Sequence, residues 1–150
     1  MTKASIISLI EQHGIMPTTQ RVQLAEILFE RRQHMAADQL LLEANRKGYR
    51  VSKATVYNTL GLFARKGLVR EVVVDPTRVY YDSNTAHHHH FYNEDTGALL
   101  DIPVEKLRVM DLPELPEGTE LSGVDVVVRV RGQECDEDGA RAGEATKQNL

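Results

Sequence analysis

The chain has 150 residues, of which 41% are hydrophobic and 27% charged, a composition that excludes a fibrous repeat and a chain disordered throughout. No apolar run approaches the roughly 20 residues that cross a bilayer, and Met1-Thr2-Lys3-Ala4-Ser5 lacks the apolar core of a signal peptide, so the expectation is a cytoplasmic protein with no membrane partner. The single cysteine, Cys135, excludes a disulfide framework and a four-cysteine structural zinc within one chain. Charge is divided unevenly. Residues 1–84 carry 12 Lys and Arg against 8 Asp and Glu, net +4, whereas residues 85–150 carry 6 against 14, net −8. A basic first half suits phosphate and an acidic second half suits cations.

Ile6, Leu9 and Ile10 recur at helical spacing over Ser5 to His13, and Gly14 ends that run. A turn at Met16-Pro17-Thr18-Thr19 supplies an N-cap for a second helix, Gln20 to Arg32, with Val22, Ala25, Leu28 and Phe29 on one face. Ala36 to Lys47 repeats the pattern and Gly48 closes it. Ser52 caps a fourth helix that buries Val56, Leu60 and Phe63 and ends near Gly67. Leu68 to Val74 and Arg78 to Tyr81 read as strands turned by Asp75-Pro76-Thr77. Four short helices followed by a hairpin describe a winged helix-turn-helix. Off the apolar stripe of the fourth helix lie Lys53, Thr55, Tyr57, Asn58 and Thr59, types suited to a major groove. Arg21, Arg65, Lys66, Arg70 and Arg78 are candidate phosphate contacts.

Composition shifts to small polar residues over Asp82 to Ala86, which marks a hinge. Beyond it the pattern predicts strands at His87 to Asn93, Ala98 to Ile102 and Val124 to Val130. Pro103 opens a short helix over Val104 to Met110. The expected organisation is α+β: a winged-helix domain over residues 1–83, a small α/β domain over residues 84–131, and a disordered tail over residues 132–150. So little core in the second domain predicts that it pairs with a second copy as a homodimer.

Four consecutive histidines, His87 to His90, stand in that second domain. Side chains alternate along a strand, so His88 and His90 share one face and His87 and His89 the other. An i, i+2 imidazole pair chelates a divalent cation, and nearby carboxylates such as Asp82 and Asp101 add harder oxygen ligands suited to Mn(II) and Fe(II). Asp101, standing before Ile102-Pro103, has a helix N-cap as its competing role.

Gly14 to Arg21, His34-Met35-Ala36-Ala37, Ala54-Thr55-Val56-Tyr57-Asn58-Thr59-Leu60, Gly67-Leu68-Val69 and His88-His89-His90 stand in the order and spacing of the ferric uptake regulator (Fur) family. The resemblance covers residues 5–131. Within the family the chain is most similar to the iron response regulator (Irr) branch, with the peroxide-sensing (PerR) branch as competitor. The resemblance implies a homodimeric transcription factor, a repressor rather than an enzyme, that binds double-stranded operator DNA. It also implies a regulatory cation (Fe2+, Mn2+ or Zn2+) at the hinge, held by His34, Asp82, His88, His90 and Asp101. Neutral imidazoles are needed there, so acid should weaken binding. In the Irr branch haem is the effector, which makes His87 and His89 candidates for haem or for a second metal; in the PerR branch Fe(II) directs oxidation of its own His ligands.

Two departures from the family pattern stand out. Asn93 and Thr96 occupy positions where many members carry the first cysteine pair of a structural zinc, so that zinc is not expected. Asn58 replaces the usual Arg after Thr-Val-Tyr. Outside this resemblance, a metalloenzyme or a metal-buffering protein would use the same His/Asp cluster, but neither explains the polar face of the fourth helix.

Overall fold

The structure is a computed structural model that describes residues 1–30, 34–86 and 88–133. It falls into two compact units, Met1–His87 and His88–Leu150.

The first unit holds helices α1 (Lys3–Gln12), α2 (Thr19–Leu28), α3 (Ala37–Arg46) and α4 (Lys53–Arg65). Its strands are β1 (His34–Ala36), β2 (Arg70–Asp75) and β3 (Arg78–Asp82). Three helices begin at side-chain caps: the hydroxyls of Thr2, Thr18 and Ser52 accept N–H bonds from Ser5, Arg21 and Thr55. Such a cap is worth about 1 kcal/mol. Gly48 follows α3 at φ +78°, the left-handed conformation that only glycine adopts without strain. Ile6, Ile10, Leu24, Leu40, Leu60 and Phe63 are buried in the centre of the unit, each contributing roughly 1.5–3 kcal/mol by leaving water.

Helix α2 stops at Leu28, short of the expected Arg32, because its apolar stripe ends with Phe29. Arg31 and Arg32 lie outside the described residues. Strand β3 is central, pairing antiparallel with both β1 and β2 in the order β1-β3-β2. The β2–β3 hairpin is the wing, and β1 is an addition to the elements expected from the sequence.

The second unit is a three-stranded sheet, β5-β4-β6, of β4 (His88–Asn93), β5 (Leu99–Pro103) and β6 (Val127–Val130). Strand β4 runs antiparallel to β5 and parallel to β6. The expected helix over Val104 to Met110 is only a single 3-10 turn, Val104–Lys106. None of that turn is buried, and Val109 and Met110 are exposed. An amphipathic pattern with nothing to pack against does not hold a short helix. Strand β6 begins at Val127 rather than Val124. Where the resembled family carries its first cysteine pair, Asn93 Oδ1 accepts the N–H groups of Asp95 and Thr96 at 2.9 and 3.1 Å, closing the β4–β5 turn by an asparagine cap. Gly132, expected to start the tail, donates its N–H to Asp95 Oδ2 at 2.7 Å; residues from 134 onward, including Cys135, are outside the described set.

Candidate metal ligands and nucleic-acid face

The five candidate ligands fall into two sets, one in each unit. In the first unit, β1 is built from His34, Met35 and Ala36, and its register sets His34 opposite Asp82 at the end of β3. The His34 Nε2 atom lies 3.1 Å from Asp82 Oδ2. Asp82 is almost fully buried, at 1% exposure. Its other oxygen accepts the Asn84 N–H at 2.8 Å, and Asn84 Oδ1 accepts the Ala86 N–H at 3.2 Å. Two successive side-chain-closed turns therefore shape the segment read as a hinge. A buried carboxylate needs a hydrogen-bond donor or cation beside it, and this one stands against an imidazole.

In the second unit, alternation along β4 directs His88 and His90 to one face. Their ring centroids are 4.5 Å apart. Asp101 stands directly across from His90 in the β4–β5 register. Its Oδ1 lies 3.4 Å from His88 Nε2 and 3.6 Å from His90 Nε2. The ligand atoms of His88, His90 and Asp101 lie within 4.8 Å of one another, both imidazoles being buried. Asp101 is in mid-strand, and the residue at the start of the following turn is Pro103, so the helix-cap role is not the one it plays. Two imidazole nitrogens and a carboxylate oxygen converging in this way suit Mn, Fe or Zn.

His89 faces the other way and is buried. Its Nδ1 accepts the Val126 N–H at 3.1 Å, which places the proton of the neutral ring on Nε2. His87 lies outside the described residues.

Helix α4 presents Lys53, Ala54, Tyr57 and Asn58 to solvent in its first turns. The Lys53 ammonium lies over the Tyr57 ring at 5.8 Å, and the Arg78 guanidinium over Tyr80 at 5.3 Å. Lys53, Tyr57, Thr77 and Arg78 line one cavity of about 570 Å³ between α4 and the wing. The sequence points to these cations but carries no signal for the cavity, which depends on how the hairpin folds back beside α4. Thr55 is half-buried and its hydroxyl is 2.9 Å from that of Ser52, so it is engaged in the helix cap. Arg21 donates to the Met16 carbonyl at 3.0 Å, across the turn before α2. Arg70 begins β2 opposite Asp82. Burial of the Tyr81 phenol, followed by the negative charge of Glu71 and the neighbouring Tyr57, raises its pKa above the ordinary 10.0. No helix among the described residues is long and apolar enough to cross a membrane.

Comparison with known proteins agrees with this architecture. The profile of the Ferric uptake regulator family matches residues 12–128. A peroxide-responsive repressor PerR of Staphylococcus aureus (strain Mu50) is 29% identical over 105 residues, covering 70% of this chain and 71% of the relative. The ferric uptake regulator of Pseudomonas aeruginosa, solved with manganese, superposes with TM-score 0.64 at 24% identity, covering 89% of this chain and all of that one (100%). That of Francisella tularensis, solved with iron, gives 0.65 at 18% identity over 79% and 92%.

Proposed function

The chain belongs to the ferric uptake regulator family, and from that premise we propose that it is a homodimeric, cytoplasmic repressor whose affinity for operator DNA is set by one divalent cation. The family is one of metal-responsive transcription regulators rather than enzymes, which disposes of the metalloenzyme alternative. The observation that carries the proposal is the convergence of His88, His90 and Asp101 on one face of the β4–β5 pair. In the proposal, these three residues and the His34–Asp82 pair of the first unit ligate the same cation. When bound, the cation supplies Lewis-acid attraction for imidazole nitrogen and carboxylate oxygen. Ligands drawn from both units onto one ion would couple the winged-helix unit to the sheet unit. Two recognition helices in a dimer must match the half-site spacing, so a coupling of this kind biases DNA affinity.

The homodimer is supported by the outer face of the second sheet. Phe91 stands opposite Leu100 on one side and Val128 on the other. Phe91 is 40% and Leu100 64% exposed. An apolar cross-strand row of this kind is buried when a second surface covers it.

Peroxide is the second signal to weigh, because the Staphylococcus aureus relative is a peroxide-responsive repressor. Under that reading, hydrogen peroxide transfers one oxygen atom to a ligand histidine and is itself reduced to water when Fe(II) is loaded and not when Mn(II) is, which mass spectrometry of the peptides carrying His34, His88 and His90 detects. For haem ligated through His87 and His89, a Soret band in untagged protein identifies that effector.

The deciding test is binding of duplexes selected from a randomised pool, followed by fluorescence anisotropy, in metal-free and Mn(II)-loaded protein. Metal should tighten binding by about 5- to 150-fold, the usual span of allosteric coupling, and His88→Ala should remove the difference. Equal affinity with and without every cation tried would contradict the proposal.

A further inference from the structure

Helices α1, α2 and α4 each start on a hydroxyl that accepts a first-turn N–H. Helix α3 does not, because its N-cap is Ala36, which has no side-chain acceptor. Gln39 Oε1 accepts the N–H of Ala36 itself at 2.9 Å, and Asp38 Oδ1 accepts that of Gln39 at 3.1 Å. The N–H groups of Ala37 and Asp38 are left with no acceptor among the described residues. Free N–H groups at the positive end of a helix favour an anion.

A helix start alone would simply be hydrated. This one opens on the α4–wing cavity of about 570 Å³, which Ala36, Ala37 and Asp38 line together with Lys53 and Arg78. Neither cation has a carboxylate partner among the described residues. Arg78 Nε is buried there with no hydrogen-bond partner. An unmade hydrogen bond at a buried charged group costs more than one at a neutral group, and an anion beside the guanidinium offsets that cost. The rest of the cavity describes the rest of a ligand. Its volume suits a small organic molecule rather than a bare oxyanion. Tyr57 and Tyr81 give it aromatic rings on which a planar ring system can pack. The second carboxylate oxygen of Asp38 is an acceptor for a hydroxyl or a ring N–H.

We propose that this cavity binds a nucleoside monophosphate and that its occupation competes with DNA. The phosphate takes the free N–H groups of α3 and the charges of Lys53 and Arg78. The base packs on the tyrosine rings, and Asp38 accepts from a ribose hydroxyl. A phosphate monoester carries close to two negative charges at neutral pH, whereas each phosphate of a DNA backbone carries one, so the convergence of donors and cations suits the monoester better. Lys53 and the exposed Tyr57 stand on the nucleic-acid face of α4, so a bound nucleotide withdraws both from a duplex. The competition rests on the DNA-binding reading above, whereas the site itself does not.

The experiment is equilibrium dialysis of adenosine monophosphate against the full-length protein, with inorganic phosphate and adenosine in parallel, followed by displacement of a selected duplex read by anisotropy. Adenosine monophosphate should bind saturably, more tightly than either fragment, and should release the duplex. Ala37→Pro deletes one free N–H at a position where proline keeps the helical geometry, since Ala36 before it is already extended at ψ 160°. It should weaken the nucleotide by about 10- to 150-fold, the range of one hydrogen bond to a charged group, and leave DNA affinity in the absence of nucleotide unchanged. Arg78→Gln should weaken the nucleotide over the same range, and decides the matter if the proline variant does not fold. Absence of saturable binding, or binding that neither variant weakens, would overturn the site. Inorganic phosphate binding as tightly as the nucleotide would overturn the nucleoside assignment, and simultaneous binding of nucleotide and duplex would overturn the competition. Failure of the wild type to bind any duplex would overturn the DNA-binding reading and the competition, with the site still judged by the dialysis.

Discussion

Replacing His90 by alanine removes one of three ligand atoms that the second unit gathers on one sheet face. His90 is buried at 3% exposure, its ring packs against that of His88, and its Nε2 lies 3.6 Å from Asp101 Oδ1. Loss of a residue that merely orients a metal ligand lowers affinity by about 10- to 100-fold, so loss of the ligand itself should reach at least the upper figure. At a Mn(II) concentration near 100 times the wild-type Kd, binding stabilises the folded protein by about 2.7 kcal/mol. For a chain of this size that raises Tm by roughly 5–11 °C. After a 100-fold loss, the same concentration stabilises His90→Ala by only about 0.4 kcal/mol, or roughly 1–2 °C. Thermal unfolding with and without Mn(II) measures the difference, and each variant is compared with its own metal-free form, so any destabilisation by the substitution itself cancels. His13→Ala is the control, since His13 ends α1 with its Nδ1 2.8 Å from the Leu9 carbonyl oxygen. An undiminished Mn(II) shift in His90→Ala would refute the reasoning.

Phe63 is fully buried among the helices of the first unit, so Phe63→Ala should cost about 3–5 kcal/mol in chemical denaturation. Lys53→Ala should reduce the slope of log affinity against log salt by about 1 for each phosphate that it leaves unneutralised, with no change in the preferred sequence; a changed consensus would argue that Lys53 reads bases. The Tyr81 phenol is held neutral by burial first and Glu71 second. In alkali the unfolded phenol ionises before the folded one, so this residue's contribution to stability is present below pH ~10 and is lost as pH rises through the folded pKa. Glu71→Gln should lower the Tyr81 pKa in an ultraviolet titration, and no movement would show that Glu71 contributes nothing to the shift.

What could be read from the residues and what could not divide along local and non-local physics. The caps at Thr18 and Ser52 and the glycine stops are set by hydrogen bonds within a few residues, and helices α1, α3 and α4 follow them closely. Alternation along His88 to Asn93 separates His88 and His90 from His89, as strand β4 does. Strand β1 escaped notice because its three residues carry no period, and it exists only through pairing with β3, far along the chain. That pairing is what sets His34 against Asp82, whose association had rested on family resemblance alone. The helix expected over Val104 to Met110 failed for the opposite reason: the period is present, but the described second unit offers it nothing to bury against.

The central claim is that the cation and the DNA share one conformational equilibrium. The direct measurement is a closed cycle: DNA affinity of metal-free and Mn(II)-loaded protein, and Mn(II) affinity of free and DNA-bound protein. Linkage requires the two ratios to be equal, and the account predicts a common ratio between about 5 and 150 that falls to 1 in His90→Ala. A ratio of 1 in the wild type, with both ligands bound, would contradict it.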